Sequence, residues 1–222
     1  MINLNDFLKT SGRLDERTAL RLLEDVADAM HRAEREFGGR ACGVAPSRIF
    51  LDDRGEIDRL ELDASLEPAE ADLYVLAPER SAGTDPEDPR ADFYALGALL
   101  YQAVTGILPF GEYPPAQLAH AHAADTIASP LHFAPSLSPA AVALIEKCME
   151  KDPGRRPADW NEFLEDLRGC AAGRIPARAP GPSRSSVLPP EPRKGTVFKS
   201  PPAPASPPES APKADPASGP SR

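Results

Sequence analysis

Between Asp15 and Phe37 the apolar residues Ala19, Leu22, Val26, Met30, Ala33 and Phe37 recur at steps of three and four, and Gly38-Gly39 follows as a stop. That spacing places one apolar stripe on an amphipathic helix and predicts a helix over the whole stretch. Ile49-Phe50-Leu51, a turn at Asp52-Asp53-Arg54-Gly55 and the alternation Ile57, Leu60, Leu62 predict two short strands and no further sheet. From Asp92 to Thr105 the chain is apolar nearly all round and stops at Gly106, the pattern of a helix enclosed by a core.

Ser138-Pro139 reads as an N-cap followed by proline at the first helical position, opening a helix through Leu144, Ile145, Cys148 and Met149 that Lys151-Asp152-Pro153-Gly154 ends. Trp160, Phe163, Leu164 and Leu167 share one face of a last helix starting at about Pro157. The expected fold is mainly α: a helical bundle around one buried helix, with a small two-stranded β element at one edge.

Composition divides this picture in two. Residues 172–222 hold 14 of the 27 prolines and almost no large apolar residues, so they are expected to form a disordered tail after a body spanning 1–171. The body carries 17 basic against 31 acidic residues, a net charge of −14, and the tail 8 against 3, a net charge of +5. An acidic body speaks against nucleic acid as a partner, because phosphate contacts need clustered Lys and Arg. Cys42, Cys148 and Cys170 are widely spaced and odd in number, which suits reduced thiols better than disulfides or a zinc site. No apolar run reaches bilayer length and no leader is apparent, so no membrane association, a cytoplasmic location and no metal are expected.

Three segments, in order, resemble the C-terminal lobe of the bacterial eukaryotic-like (Hanks-type) serine/threonine protein kinases, over roughly residues 3–170. Tyr74-Val75-Leu76-Ala77-Pro78-Glu79-Arg80 is similar to the Ala-Pro-Glu motif that closes the activation segment. Asp92-Phe93-Tyr94-Ala95-Leu96-Gly97, with Thr105-Gly106-Ile107-Leu108-Pro109-Phe110 after it, resembles the family's central helix and its exit. Lys151-Asp152-Pro153-Gly154-Arg155-Arg156-Pro157 resembles the segment whose arginine pairs with the motif's glutamate. Glu79 and Arg156 are then candidates for a buried bidentate pair, and Asp92 for a carboxylate that accepts backbone N–H groups of a neighbouring loop. All three roles are structural.

The resemblance fails where the chemistry belongs. Phosphoryl transfer needs an Asp at the acceptor hydroxyl, an Asn and a second Asp for Mg²⁺, and a Lys with a Gly-rich loop for the phosphates. The family's catalytic loop, His-Arg-Asp-Leu-x-x-x-Asn, aligns with Ala41-Cys42-Gly43-Val44-Ala45-Pro46-Ser47-Arg48. Gly43 stands at the catalytic Asp and Arg48 at the metal-binding Asn. Of the Asp-Phe-Gly motif only Asp63 remains, in Asp63-Ala64-Ser65, where a turn residue is the plainer reading of a lone Asp. No Ser or Thr lies between Ser65 and Ala77 to accept an activating phosphate. Fourteen residues precede Asp15, too few for a nucleotide-binding lobe, and no glycine set forms G-x-G-x-x-G.

His31, His120 and His122 lack the further ligands a zinc site needs and are expected to be solvated. Cys42 is expected to be an inert thiol, Ser47 lacks a His-Asp arrangement, and the Ser-Pro-Pro stretches of the tail read as spacer. The resemblance and its gaps together imply a pseudokinase without cofactor or metal, binding a protein partner: an active kinase or a kinase substrate. Two alternatives stay open at this point, a split or truncated kinase whose N-lobe lies on another chain or in an upstream frame, and a decayed remnant.

Overall fold

The computed structural model describes residues 2–36, 43–52, 54–62, 68–83 and 88–177. They all lie in one compact unit, Met1–Pro190; the second unit, Glu191–Arg222, falls outside the described residues. In chain order the elements are β1 (Ile2–Asn3), α1 (Leu4–Ser11), α2 (Glu16–Glu36), β2 (Ile49–Leu51), β3 (Ile57–Leu60), α3 (Pro78–Ala82), α4 (Arg90–Thr105), α5 (Pro115–Ala124), α6 (Pro130–Phe133), α7 (Pro139–Cys148) and α8 (Trp160–Ala171). Short 3₁₀ turns lie at Pro46–Arg48, Glu70–Tyr74 and Pro153–Arg155.

The bundle is organised by α4, whose residues from Ala91 to Thr105 are all buried. A helix with no polar face must be covered on every side, and α2, α6 and α7 pack against it. Its closest neighbour is α7: a Cβ on Gly97 would stand 2.5 Å from that of Cys148. Hydrogen at this position is what lets the two backbones approach. Phe93 fixes the far end, stacked on Phe163 with centroids 5.3 Å apart and meeting Trp160 edge-on at 4.9 Å. The helix ends where Gly106 takes φ 74° and returns its N–H to the Gln102 carbonyl at 2.8 Å.

Helix α2 buries Ala19, Leu22, Val26 and Met30, with Leu20, Leu23 and Ala27 widening the stripe, against α4 and α8. Arg168 of α8 ties the outer seam, its Nε 2.7 Å from Glu24 and its Nη2 3.2 Å from Asp28. Ser138 caps α7 by accepting the Ala141 N–H at 3.1 Å, and its hydroxyl donates to Glu16 at 2.6 Å, joining the starts of two helices distant in sequence.

The structure departs from the sequence expectation in three places. The sheet has three strands, in the order β1-β2-β3, all antiparallel, with Ile2 opposite Leu51 and Asn3 opposite Phe50. Two residues are too few to show alternation, so β1 carries no sequence signal. Helix α8 starts at Trp160, three residues after Pro157, because the Asp159 carboxylate accepts the Glu162 N–H at 2.9 Å and sets the cap there. Helices α1, α5 and α6 were not anticipated. The expected tail lies, from Arg178 on, outside the described residues.

Candidate functional site

The loop before β2 is built on Gly43, whose φ of 72° lies in the left-handed region that glycine enters at little cost. Its N–H donates to Asp92 Oδ1 at 3.0 Å, and Asp92, only 1% exposed, stands in the first turn of α4. The carboxylate therefore serves the positive end of its own helix and holds the loop against the core. Arg80 approaches the same oxygen, Nη1 to Oδ1 3.9 Å. The Gly43 carbonyl in turn accepts from Arg48 Nη1 at 3.3 Å, and the Arg48 side chain is buried within the loop's own curve.

Ser47 carries the second tie. Its hydroxyl donates to Asp72 Oδ2 at 2.7 Å and its N–H to Oδ1 at 3.3 Å, while Oδ2 also accepts the Ala69 N–H at 3.0 Å. Asp72 is 2% exposed and pins the 3₁₀ turn Glu70–Tyr74 onto the loop. Nothing in the spacing around Asp72 marks this role, because its partner is 25 residues away in sequence. Asp63 lies outside the described residues, as does Cys42.

Behind the loop, Arg156 meets Glu79 with both ends of its fork, Nη1 to Oε1 at 2.6 Å and Nη2 to Oε2 at 2.9 Å. The remaining donors reach the carbonyls of Glu150 (2.8 Å), Arg90 (3.0 Å) and Lys151 (3.2 Å), so all five guanidinium N–H groups are used. The guanidinium also lies over the Tyr94 ring, 4.9 Å from its centroid. This joins α3, the start of α4 and the turn after α7 at one buried point.

Tyr94 leads to a correction. His122 is not solvated: it is fully buried, its Nδ1 2.7 Å from the Tyr94 hydroxyl and its ring 4.9 Å from that of Phe110. Burial, with Lys151 nearby, pushes its imidazole down to about 4, and burial raises the Tyr94 phenol. A run of alternating His and Ala shows no helical face, which is why the sequence hides this contact. His120 is exposed, and His31 is partly buried, stacked 6.0 Å from Trp160. Cys148 and Cys170 are free and buried, with burial raising both thiols. Among the described residues no three His, Cys, Asp or Glu side chains gather to hold a metal ion, and no helix is long and apolar enough to cross a membrane.

A bundle wrapped on one buried helix, with an aspartate at that helix's start and a glutamate–arginine clamp beside it, has the architecture of a kinase-like C-terminal lobe. No family model matches the chain. Among curated proteins it is similar to a probable serine/threonine-protein kinase of Clostridium perfringens, 29% identical over 74% of this chain and 25% of that protein. It is also similar to the serine/threonine-protein kinase PknA of Mycobacterium tuberculosis, 29% identical over 82% of this chain and 44% of that protein. Over 55% of its length it is 34% identical to a serine/threonine-protein kinase of Myxococcus xanthus. The chain's homologues are thus bacterial serine/threonine-protein kinases, and it spans less than half the length of these relatives.

Proposed function

We propose that the chain is a kinase-like module that does not itself transfer phosphate and acts by binding a protein of serine/threonine phosphorylation signalling, either an active kinase or a kinase substrate. One observation carries this: the Arg48 guanidinium is folded onto the Gly43 carbonyl at the two positions where the resemblance puts a metal-binding Asn and a catalytic Asp. Glycine has no side-chain group to accept a hydroxyl proton, and a guanidinium has donors only, so neither side chain supplies an oxygen to Mg²⁺. The ties around them, through Asp92, Asp72 and the Glu79–Arg156 clamp, support a role in which shape is retained without transfer chemistry.

The relatives extend well beyond the matched stretch, which favours a second reading: one part of a kinase whose ATP-binding lobe is supplied elsewhere. Incubating the purified chain with γ-labelled ATP and Mg²⁺ or Mn²⁺, with and without a generic protein acceptor, tests the first. No incorporation is expected. Incorporation that scales with the chain and disappears when it is unfolded would overturn the proposal. For the second, translation of the DNA upstream of Met1 should yield a Gly-rich loop and a strand lysine.

A further inference from the structure

We propose that the groove between α2 and α8 is the contact face of a symmetric homodimer, in which Glu165 and Arg174 of each copy pair with the partner's Arg174 and Glu165. Asn161, Leu164, Glu165 and Arg168 are spaced along α8 so that they share one face. With Asp28 and His31 of α2 they line an open groove of about 450 Å³, and Leu164, 5% exposed, is buried at its base.

One end of the groove is made by the chain turning back after α8. Gly173, at φ 77°, donates to the Cys170 carbonyl at 2.8 Å, and the Arg174 N–H reaches the Gly169 carbonyl at 2.8 Å. The Arg174 side chain then lies across Gly169: a Cβ added there would stand 3.4 Å from its Nε and 3.5 Å from its Nη2. The missing side chain at 169 is what gives the guanidinium this bed.

The charges on this groove are not all spent. Arg168 is held by Glu24 and Asp28 of α2. Glu165 and Arg174 are exposed, and neither side chain makes an ion pair or hydrogen bond among the described residues, although Arg174 rests only about one helical turn from Glu165. Opposite charges left open on one rim are self-complementary: a two-fold axis across the groove sets each carboxylate against the partner's guanidinium, the same bond twice. Beside them Ile175 is 64% exposed, one of two large apolar side chains in the open among the described residues, and adds apolar area to bury.

Net charge favours this face over the rest of the body. Residues 1–171 sum to −14, so two copies repel over most of their surface. The charged lining of the groove is two carboxylates, Asp28 and Glu165, against two guanidiniums, Arg168 and Arg174, which cancel. Copies meet there at the least electrostatic cost, and at about 0.15 M salt a Debye length of about 8 Å screens the remainder. A strongly charged partner of either sign gains little from a neutral lining, whereas a second copy brings both missing charges in register. The pairing does not depend on whether the chain transfers phosphate.

The test is sedimentation equilibrium of the full chain over a concentration series, with Glu165→Arg, Arg174→Glu, and the two changes combined. The wild type is expected to reach the mass of a dimer. Each single variant places like charges at both contacts and should weaken association about a hundredfold or more. The combined variant, and an equimolar mixture of the two single variants, restore opposite charges at both contacts and should dimerise again. Urea midpoints of the single variants close to that of the wild type would show that association, and not folding, is what changed. A wild type that stays monomeric up to about 1 mM would give the groove to another occupant and overturn the proposal, as would single variants that associate like the wild type or a mixture no better than its parts.

Discussion

Arg156 spends every donor it has, and a fully used guanidinium is one that no other side chain replaces. Arg156→Ala leaves Glu79 buried without its partner and is expected to cost about 3–5 kcal/mol in urea unfolding. The double change Glu79→Leu with Arg156→Met should recover much of that loss, since it removes both desolvated charges together; a double variant no better than the single one would show that the backbone carbonyls, and not the ion pair, need the arginine. His122 gives a prediction with the opposite dependence on environment. Its folded value of about 4 lies below the ordinary 6.5, so the unfolded chain binds a proton that the folded chain refuses. Its contribution is fully present above about pH 6.5 and is lost as pH falls towards 4, by about 3 kcal/mol in all. Urea midpoints of the wild type and His122→Gln should therefore converge on acidification. Glu79, Arg156 and Asp92 could be picked out from the sequence because each sits in a motif with fixed neighbours. Asp72 and His122 could not, for what defines them is a partner brought in by folding, Ser47 for one and Tyr94 for the other.

Elements that carry their own punctuation were the legible ones. Helix α4 declares itself by having no polar side, α2 by its stripe, and α7 by Ser138-Pro139. Helices α1 and α5 carry end signals, Asn3 and Gly12 for the first and Pro114-Pro115 for the second, but little pattern between them: the first is eight residues long, and the second is an Ala-His run of nearly uniform character in which Leu118, Ala121 and His122 are buried. Gly97 tests the closest crossing between elements. Gly97→Ala would gain helix propensity of up to about 1 kcal/mol in isolation, yet its methyl would meet Cys148 Cβ at 2.5 Å and Met149 Cγ at 3.1 Å. Packing wins, and a net loss of roughly 1–3 kcal/mol is expected by calorimetry or urea titration. Ser138→Ala removes both a cap and the hydroxyl's bond to Glu16, leaving the Ser138 N–H bond to the same carboxylate, and should cost about 1–2 kcal/mol.

Taken whole, residues 1–171 carry a net charge of −14. Self-repulsion of that size opposes the compact state and is screened by salt. Raising NaCl from about 0.05 M to about 0.5 M, where the Debye length falls to a few ångströms, is expected to raise the urea midpoint. A fall would mean that exposed pairs such as Arg168 with Glu24 and Asp28 outweigh the net field.

Those last contacts also order events during synthesis. The apolar stripe of α2 is covered on one side by α8, so Leu22, Val26 and Met30 leave the ribosome more than a hundred residues before their cover is made. The chain cannot fold in the order in which it is translated. Nascent chains stalled before Trp160 are expected to be cleaved readily within α2, and chains with Ala171 clear of the ribosome to resist. For this protein the last of the described helices, α8, decides when α2 becomes safe.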